Sequence, residues 1–357
     1  DVDKTTQAIS IALSEAEIMA GSQIHEVTMS VSGDHLRGTN SQGVVAIDNG
    51  EVSARAARRV IEAAQALPLP SDHDILHLLC RDYVVDGQGG IKEPEGMSGV
   101  RLEAHLHVIS ACESAIGNLR KCCHKAGLSV GTTMASSLAS GEAVLEAEEK
   151  DLGVVLVDVG AGTVDMAIHH QGALVASSVG KVAGDYVTSD LSRCLETTFG
   201  DAERIKKHHG CAYGAMVERN TCVEVAGVGG RQPRIVNRKL VADIIESRIE
   251  EMFEMILDAV IQSGYGELLT SGVVLTGGAS MMPGMGDVAA RVLELPVRLG
   301  EPRAVAGLSD EVDDPSWSTA VGLARGLWSE DLSRRHGTGL GERMVPRWMR
   351  RRFKEFF

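Results

Sequence analysis

Aromatic residues are scarce: three Trp, four Tyr and five Phe in 357 residues. Four of these twelve (Trp348, Phe353, Phe356 and Phe357) crowd into the last ten positions. The body is therefore poor in aromatics. The whole chain's formal net charge of −14 is the opposite of the basic footprint that nucleic-acid binders carry, so no nucleic-acid partner is expected. No apolar run approaches the ~20 residues of a membrane-spanning helix, and no signal peptide is evident. The seven cysteines are an odd number without a CxxC pair. That excludes the disulfide framework of a small secreted domain and leaves an intracellular chain with buried free thiols as the expectation. The His169-His170 and His208-His209 pairs lack Cys or carboxylate partners at ligand spacing and read as solvated histidines. The first residue is Asp rather than Met, so a longer parent protein is expected.

What is present is an ordinary globular composition, 44% hydrophobic and 24% charged, with length for two to three domains. Residues 3–20 read as an amphipathic helix closed by Gly21, 26–32 as a strand, and 52–66 as a helix stopped by Pro68. Residues 74–85 and 101–111 read as strands around a Gly/Pro-rich loop, and 113–126 as a helix. Residues 152–182 read as three strands joined by tight turns. Helical text follows at 185–196, 201–209 and 238–262, then a buried strand at 271–276 and a last helix at 316–328.

Three segments carry chemistry. In VLVDVGAGTVDMAI a strand ends near Asp158, and Gly160, Ala161, Gly162 and Thr163 turn sharply into the next strand. Small residues let successive N–H groups approach a phosphate, and Asp158 could order a water bound to Mg²⁺. Taken alone, this segment reads more simply as a plain hairpin, since a lone GxG is a weak signal. In VVLTGGAS a strand runs into Gly277, Gly278 and Ala279 and then a helix, where orphan N–H groups suit an anion. In DAERIKKHHG, Glu203 and Lys206 share one helical face, suited to a ribose hydroxyl and an adenine edge, or to a solvent ion pair. A dinucleotide oxidoreductase is disfavoured, since the GAGT turn leads into a strand and GxGxxG is missing.

The order DVGAGT, AGD (183–185, with Gly184), DAERIKKHHG, VVLTGGAS, STAVGL is the serial layout of the actin/Hsp70/sugar-kinase ATPases. The wording of VTSDL (187–191), ERIKKHHGCAYG (203–214), VGGRQPR (228–234), STAVGL (318–323) and GIKEPEGMSGVRLEAHLHVI (90–109) resembles the bacterial cell-division family FtsA. The resemblance implies an α/β, actin-like two-lobed ATPase fold with an inserted small α+β subdomain and a C-terminal amphipathic helix. It implies first-lobe core at 1–25, 113–150 and 307–328, and the inserted subdomain at 26–112. Second-lobe core falls at 151–184 and 271–306 around an outer subdomain at 185–270, with a linker at 329–343 and a membrane helix at 344–357. It also implies ATP and Mg²⁺ as ligands. Asp158 stands on the metal side, Gly160–Thr163 and Gly184 at the phosphates, Glu203 and Lys206 at ribose and adenine, and Gly277, Gly278 and Ala279 at adenosine. Implied partners are the C-terminal tail of FtsZ (contact placed at Arg248), further copies in protofilaments, anionic phospholipid and later divisome membrane proteins. The implied location is the cytoplasmic face of the inner membrane at the septum. No catalytic residue is assigned. Another actin-fold scaffold, for pilus assembly or cell shape, is the alternative, and a sugar or acyl kinase is a more distant one.

Two departures stand out. The family pattern implies a first phosphate loop in an N-terminal hairpin, whereas this sequence opens on a helix. Either that loop lies in a longer chain or nucleotide binding is weak. At Ala161 a third glycine is common, and Ala tolerates positive φ less well. At the other end, residues 343–357 hold five Arg and Lys354 against Glu355, a local +5, leaving −19 for the rest. Wound as a helix from Pro346, the tail gathers Trp348, Met349, Phe353, Phe356 and Phe357 on one arc and Arg347, Arg350, Arg351 and Lys354 on the other, with only Arg352 on the apolar side, where a long Arg stem can snorkel, as in an interfacial membrane helix. Each cation near anionic headgroups adds about 1 kcal/mol.

Overall fold

The structure, a computed structural model, describes residues 1–218, 220–303 and 312–326. The expected linker and amphipathic tail, with Trp348, Met349, Arg350, Arg351, Phe353, Lys354, Phe356 and Phe357, lie outside the described residues. The chain forms two compact units. The first comprises Asp1–Asn40, Pro68–His77 and His107–Gly326, and the described part of the second comprises Ser41–Leu67 and Leu78–Leu106.

Helix α1 (Val2–Ala20) opens the first unit. The Asp1 carboxylate accepts the N–H groups of Asp3 and Lys4, and Gly21, at φ 62°, closes the helix. α1 packs on α3 (Glu113–Lys125) but buries no residue fully; Ile11, Ile18 and Met19 are exposed. β1 (Glu26–Val31) pairs in parallel with β6 (Ser129–Ala135), and α4 (Ser136–Val144) and α5 (Ala147–Leu152) follow β6.

The second unit holds α2 (Ala54–Gln65) and a four-stranded sheet in the order β2 (Leu36–Ala46), β5 (Arg101–Cys112), β3 (His73–Val85), β4 (Gln88–Ile91). The chain passes between units within β2, β3 and β5. Every third or fourth residue of α2 (Ala56, Val60, Ala64) is buried, and two of these join Ile47, Val52, Val85, Leu102 and Ala104 in one core. The block drawn at 26–112 from the sequence thus contains β1, which pairs with β6 in the other unit. The expected loop at 86–99 contains a hairpin. Asp86 and Gly87 have φ of 48° and 86°, the two positive angles of a tight hairpin turn, so β4 folds back on β3.

The first unit's main sheet has the order β13 (Val297–Leu299), β12 (Val273–Thr276), β7 (Val154–Val159), β8 (Val164–His170), β9 (Ala173–Gly180). β7, β8 and β9 form the expected antiparallel meander, while β12 joins β7 in parallel and β13 joins β12 in parallel. All six residues of β7 are buried, as a central strand covered on both faces requires. α6 (Gly184–Cys194), α7 (Phe199–His209) and α8 (Arg238–Ser263) pack Val187, Leu191, Ile205, Ile245, Ile249 and Phe253 into the core of that sheet. The short hairpin β10 (Cys222–Val225) and β11 (Arg234–Asn237) precedes α8. α9 (Met285–Leu293) lies between β12 and β13, and α10 (Ser318–Gly326) packs on α4.

Three expectations are corrected. His169 is buried, because β8 is covered on both faces; burial, Lys150 and His107 push its imidazole down to about 3. Cys194 and Cys222 are exposed rather than buried. The helix expected after Gly277, Gly278 and Ala279 does not follow at once: one 3-10 turn, Gly278–Met281, comes first, and Pro283-Gly284 separates it from α9.

α10 crosses α4 at close range, and a Cβ on Gly322 would sit 1.7 Å from the Ala139 carbonyl oxygen. Gly322→Ala must push the helices apart, and thermal denaturation should show a loss of about 1–3 kcal/mol.

Candidate functional site

The turn between β7 and β8 is built by register. Asp158 and Asp165 are cross-strand partners flanking Gly160–Thr163, so both carboxylates come to the same strand end. Both are buried, at 8% and 4% exposure. The Thr319 hydroxyl donates to Asp158 Oδ2 at 3.1 Å, and Ser140 also hydrogen-bonds Asp158. Asp165 Oδ2 lies 2.5 Å from the Ser32 hydroxyl and 3.3 Å from that of Thr163. Among the described residues, Asp165 Oδ1 is buried without a partner. Burial raises both carboxyls. For Asp165, desolvation outweighs Ser32 and, together with the charge of Asp158, brings the group to about 7.

The turn is zipped to α6: Gly184 N–H donates to the Gly160 carbonyl at 3.1 Å and Asp185 N–H to the Ala161 carbonyl at 2.7 Å. Ala161 and Gly162 are exposed at its tip, and a Cβ on Gly162 would meet nothing. Ala161 is not among the positive-φ residues, so replacing a third glycine there imposes no strain.

On the other side of β7, the end of β12 closes in. Gly277 has φ 85°, and a Cβ there would lie 2.3 Å from Asp158 Oδ1 and 2.6 Å from the Val159 carbonyl oxygen. Only glycine fits this approach. Gly277 N–H donates to the Pro315 carbonyl, and the Thr276 and Ser318 hydroxyls lie 2.6 Å apart, so the segment leading into α10 backs the turn. Gly278 is exposed and Ala279 half-buried on the 3-10 turn.

Lys206 joins α7 to α6. Its Nζ lies 2.7 Å from Glu203 Oε2, 3.0 Å from the Gly184 carbonyl and 2.9 Å from Thr188 Oγ1. Burial works to raise the Glu203 carboxyl, but hydrogen bonds from Lys206 and Thr188 hold it below the usual range. Contacts therefore link Asp158, Gly160–Thr163, Gly184, Glu203, Lys206 and Gly277 into one site. Arg248 stands apart: it pairs with Asp190 at 2.5 Å and with Glu251, and stacks over Tyr186 at 5.7 Å, so its charge is already met.

Sequence reading missed Asp165, Ser32, Thr188 and Thr319. For Asp165 a signal existed: in a hairpin with a four-residue turn, the residue two after the turn faces the residue two before it. Ser32 and Thr319 are joined to the site only by the tertiary fold. Among the described residues no group of three or more His, Cys, Asp or Glu side chains could by itself hold a metal ion.

Asp165 carries a testable pH signature. Its free-group value is 3.8, and the folded protein holds it near 7. Between about pH 4 and 7 the unfolded chain has lost this proton and the folded chain keeps it, so stability falls as pH rises through the window and then levels off. In Asp165→Asn, denaturant midpoints measured from pH 4 to 8 should fall less steeply.

Two family models match the chain: "Cell division protein FtsA" over residues 155–322 and "SHS2 domain inserted in FTSA" over residues 33–110. The cell division protein FtsA of Pseudomonas aeruginosa is 43% identical over 323 residues, covering 90% of this chain and 78% of the relative. That of Neisseria meningitidis is 44% identical over 324 residues, with the same coverage. Among solved structures, a PilM-PilN type IV pilus biogenesis complex matches with TM-score 0.61 at 18% identity, covering 90% of this chain and 84% of that one. MreB5 of Spiroplasma citri bound to ADP matches with TM-score 0.51 at 15% identity, covering 64% and 69%. These likenesses show the actin-like fold, and the second family model marks the inserted module.

Proposed function

The chain belongs to the FtsA family of cell-division proteins, and from that premise we propose that it is an ATP-binding adaptor. In this reading it polymerises, tethers FtsZ filaments to the inner face of the cytoplasmic membrane and recruits later divisome proteins. The observation that carries the nucleotide part is the facing pair Asp158 and Asp165 beneath a small-residue turn, with one carboxylate oxygen buried and unpartnered. The fold neighbour MreB5 is described as bound to ADP, which supports the same ligand class.

The residues fit a hydrated cation beside a polyphosphate. Two adjacent carboxylates raised by burial gain from a nearby positive charge, and Asp165 Oδ1 lacks a donor. Mg²⁺ keeps most of its water shell, so its bound waters would supply such donors and its charge would offset the phosphates. The chain's own part is positional. The exposed turn at Ala161 and Gly162 lets a phosphate approach the backbone, and Gly277 leaves room beside Asp158. Glu203 and Lys206 present one acceptor and one cation for ribose and adenine, already held in place by Thr188. Lys206→Ala should weaken binding of a fluorescent ATP analogue about tenfold, the order of one charge-assisted hydrogen bond. Unchanged affinity would move the nucleoside away from α7.

The FtsZ tail is assigned to α8 around Arg248, where a carboxylate of the tail would have to displace Asp190 and Glu251. Membrane attachment is assigned to residues 344–357. One short helix binds reversibly, and many tails along a filament add through effective concentration. Deleting 344–357 should abolish co-sedimentation with anionic liposomes. Undiminished binding after the deletion would sink the assignment.

A further inference from the structure

Ser32 follows β1, a strand of the two-stranded β1–β6 sheet that has no place in the five-stranded one. Its hydroxyl nevertheless reaches the β7–β8 turn, 2.5 Å from Asp165 Oδ2 and 2.8 Å from Thr163 Oγ1. A serine hydroxyl has one hydrogen to donate and can also accept. Given to Asp165, that hydrogen leaves Ser32 free to accept from Thr163. The segment carrying it is anchored beyond the serine: Leu36 N–H bonds the Gly33 carbonyl at 3.0 Å, Cys112 N–H bonds the His35 carbonyl at 3.1 Å, and Asp34 pairs with Lys181 at 2.5 Å.

We propose that Ser32 is a positioning residue for the nucleotide site: it pins Asp165 Oδ2 and so presents Oδ1, buried and unpartnered, as the acceptor for the metal's water shell. The terminal torsion of an aspartate is soft. Across the ladder stands Asp158, a second carboxylate that would turn Asp165 away when both are ionised. The other hydroxyl near Oδ2, that of Thr163, stands farther off at 3.3 Å against 2.5 Å for Ser32, and gives its hydrogen to Ser32. Through Ser32 the end of β1 thus sets the orientation of a carboxylate on β8. The proposal rests on the nucleotide reading above.

The test is a Mg²⁺ titration of fluorescent ATP-analogue binding to the full 357-residue chain, with affinity in EDTA as the reference. In Ser32→Ala the Mg²⁺ concentration for half-maximal binding should rise about three- to tenfold, with affinity in EDTA little changed. Ser32→Thr, which restores the hydroxyl, should return the parent value. In an Asp165→Asn background, Ser32→Ala should add nothing further, because the serine acts through that carboxylate. Equal Mg²⁺ dependence in parent and Ser32→Ala overturns the proposal. So does an equal loss with and without Mg²⁺, or a Ser32→Ala effect that persists in Asp165→Asn. A parent chain that binds no analogue at any Mg²⁺ concentration overturns the nucleotide reading itself, and the proposal with it.

Discussion

Asp158 and Asp165 face each other across β7 and β8 at the buried end of the main sheet. Like charges in a poorly solvated place resist ionising together, and the surrounding architecture answers this constraint. The hydroxyls gathered around the pair come from four places: Ser140 on α4, Thr319 on α10, Thr163 in the turn and Ser32 after β1. Hydroxyls fix where the oxygens point without cancelling their charge. The pair is thereby ordered and left electrically unsatisfied, which is the state a cation-bearing ligand would relieve.

The apolar core makes that arrangement possible. Val155, Val157 and Val159 on β7 and Val164, Met166 and Ile168 on β8 lock the two strands into one register beneath α6, α7 and α8. Because the sheet cannot shift, the carboxylates, the turn and Gly277 keep fixed separations. α10 extends the same logic. Its first residues bond β12 through Ser318 and β7 through Thr319, and its Gly322 lies against α4, so one short helix holds strand ends and helix layer together.

Much of this was legible in the sequence because the signals were local. The meander at 152–182, helices α6, α7 and α8, and the small-residue turns at 160–163 and 277–279 follow from periodicity and from local turn signals. β2 escaped notice because LRGTNSQGVVA alternates poorly and carries two glycines, and its strand character comes from pairing with β5. β4 was hidden inside a Gly/Pro-rich stretch although Asp86-Gly87 is a strong hairpin signal. His169 looked solvated because a histidine pair carries no mark of depth, and only its place in a covered strand shows it to be buried. Ser32 could not be found at all, since its partners lie more than a hundred positions away.

The four-residue turn has a further consequence for how this segment can vary. Side chains alternate faces along a strand, so a shift of one residue in the β7–β8 pairing exchanges every inward and outward position. Removing one residue from 160–163 would force that shift and carry one carboxylate to the opposite face of the sheet, away from its hydroxyls. The turn can therefore accept a change of residue, as Ala161 does without a positive φ, far more readily than a change of length.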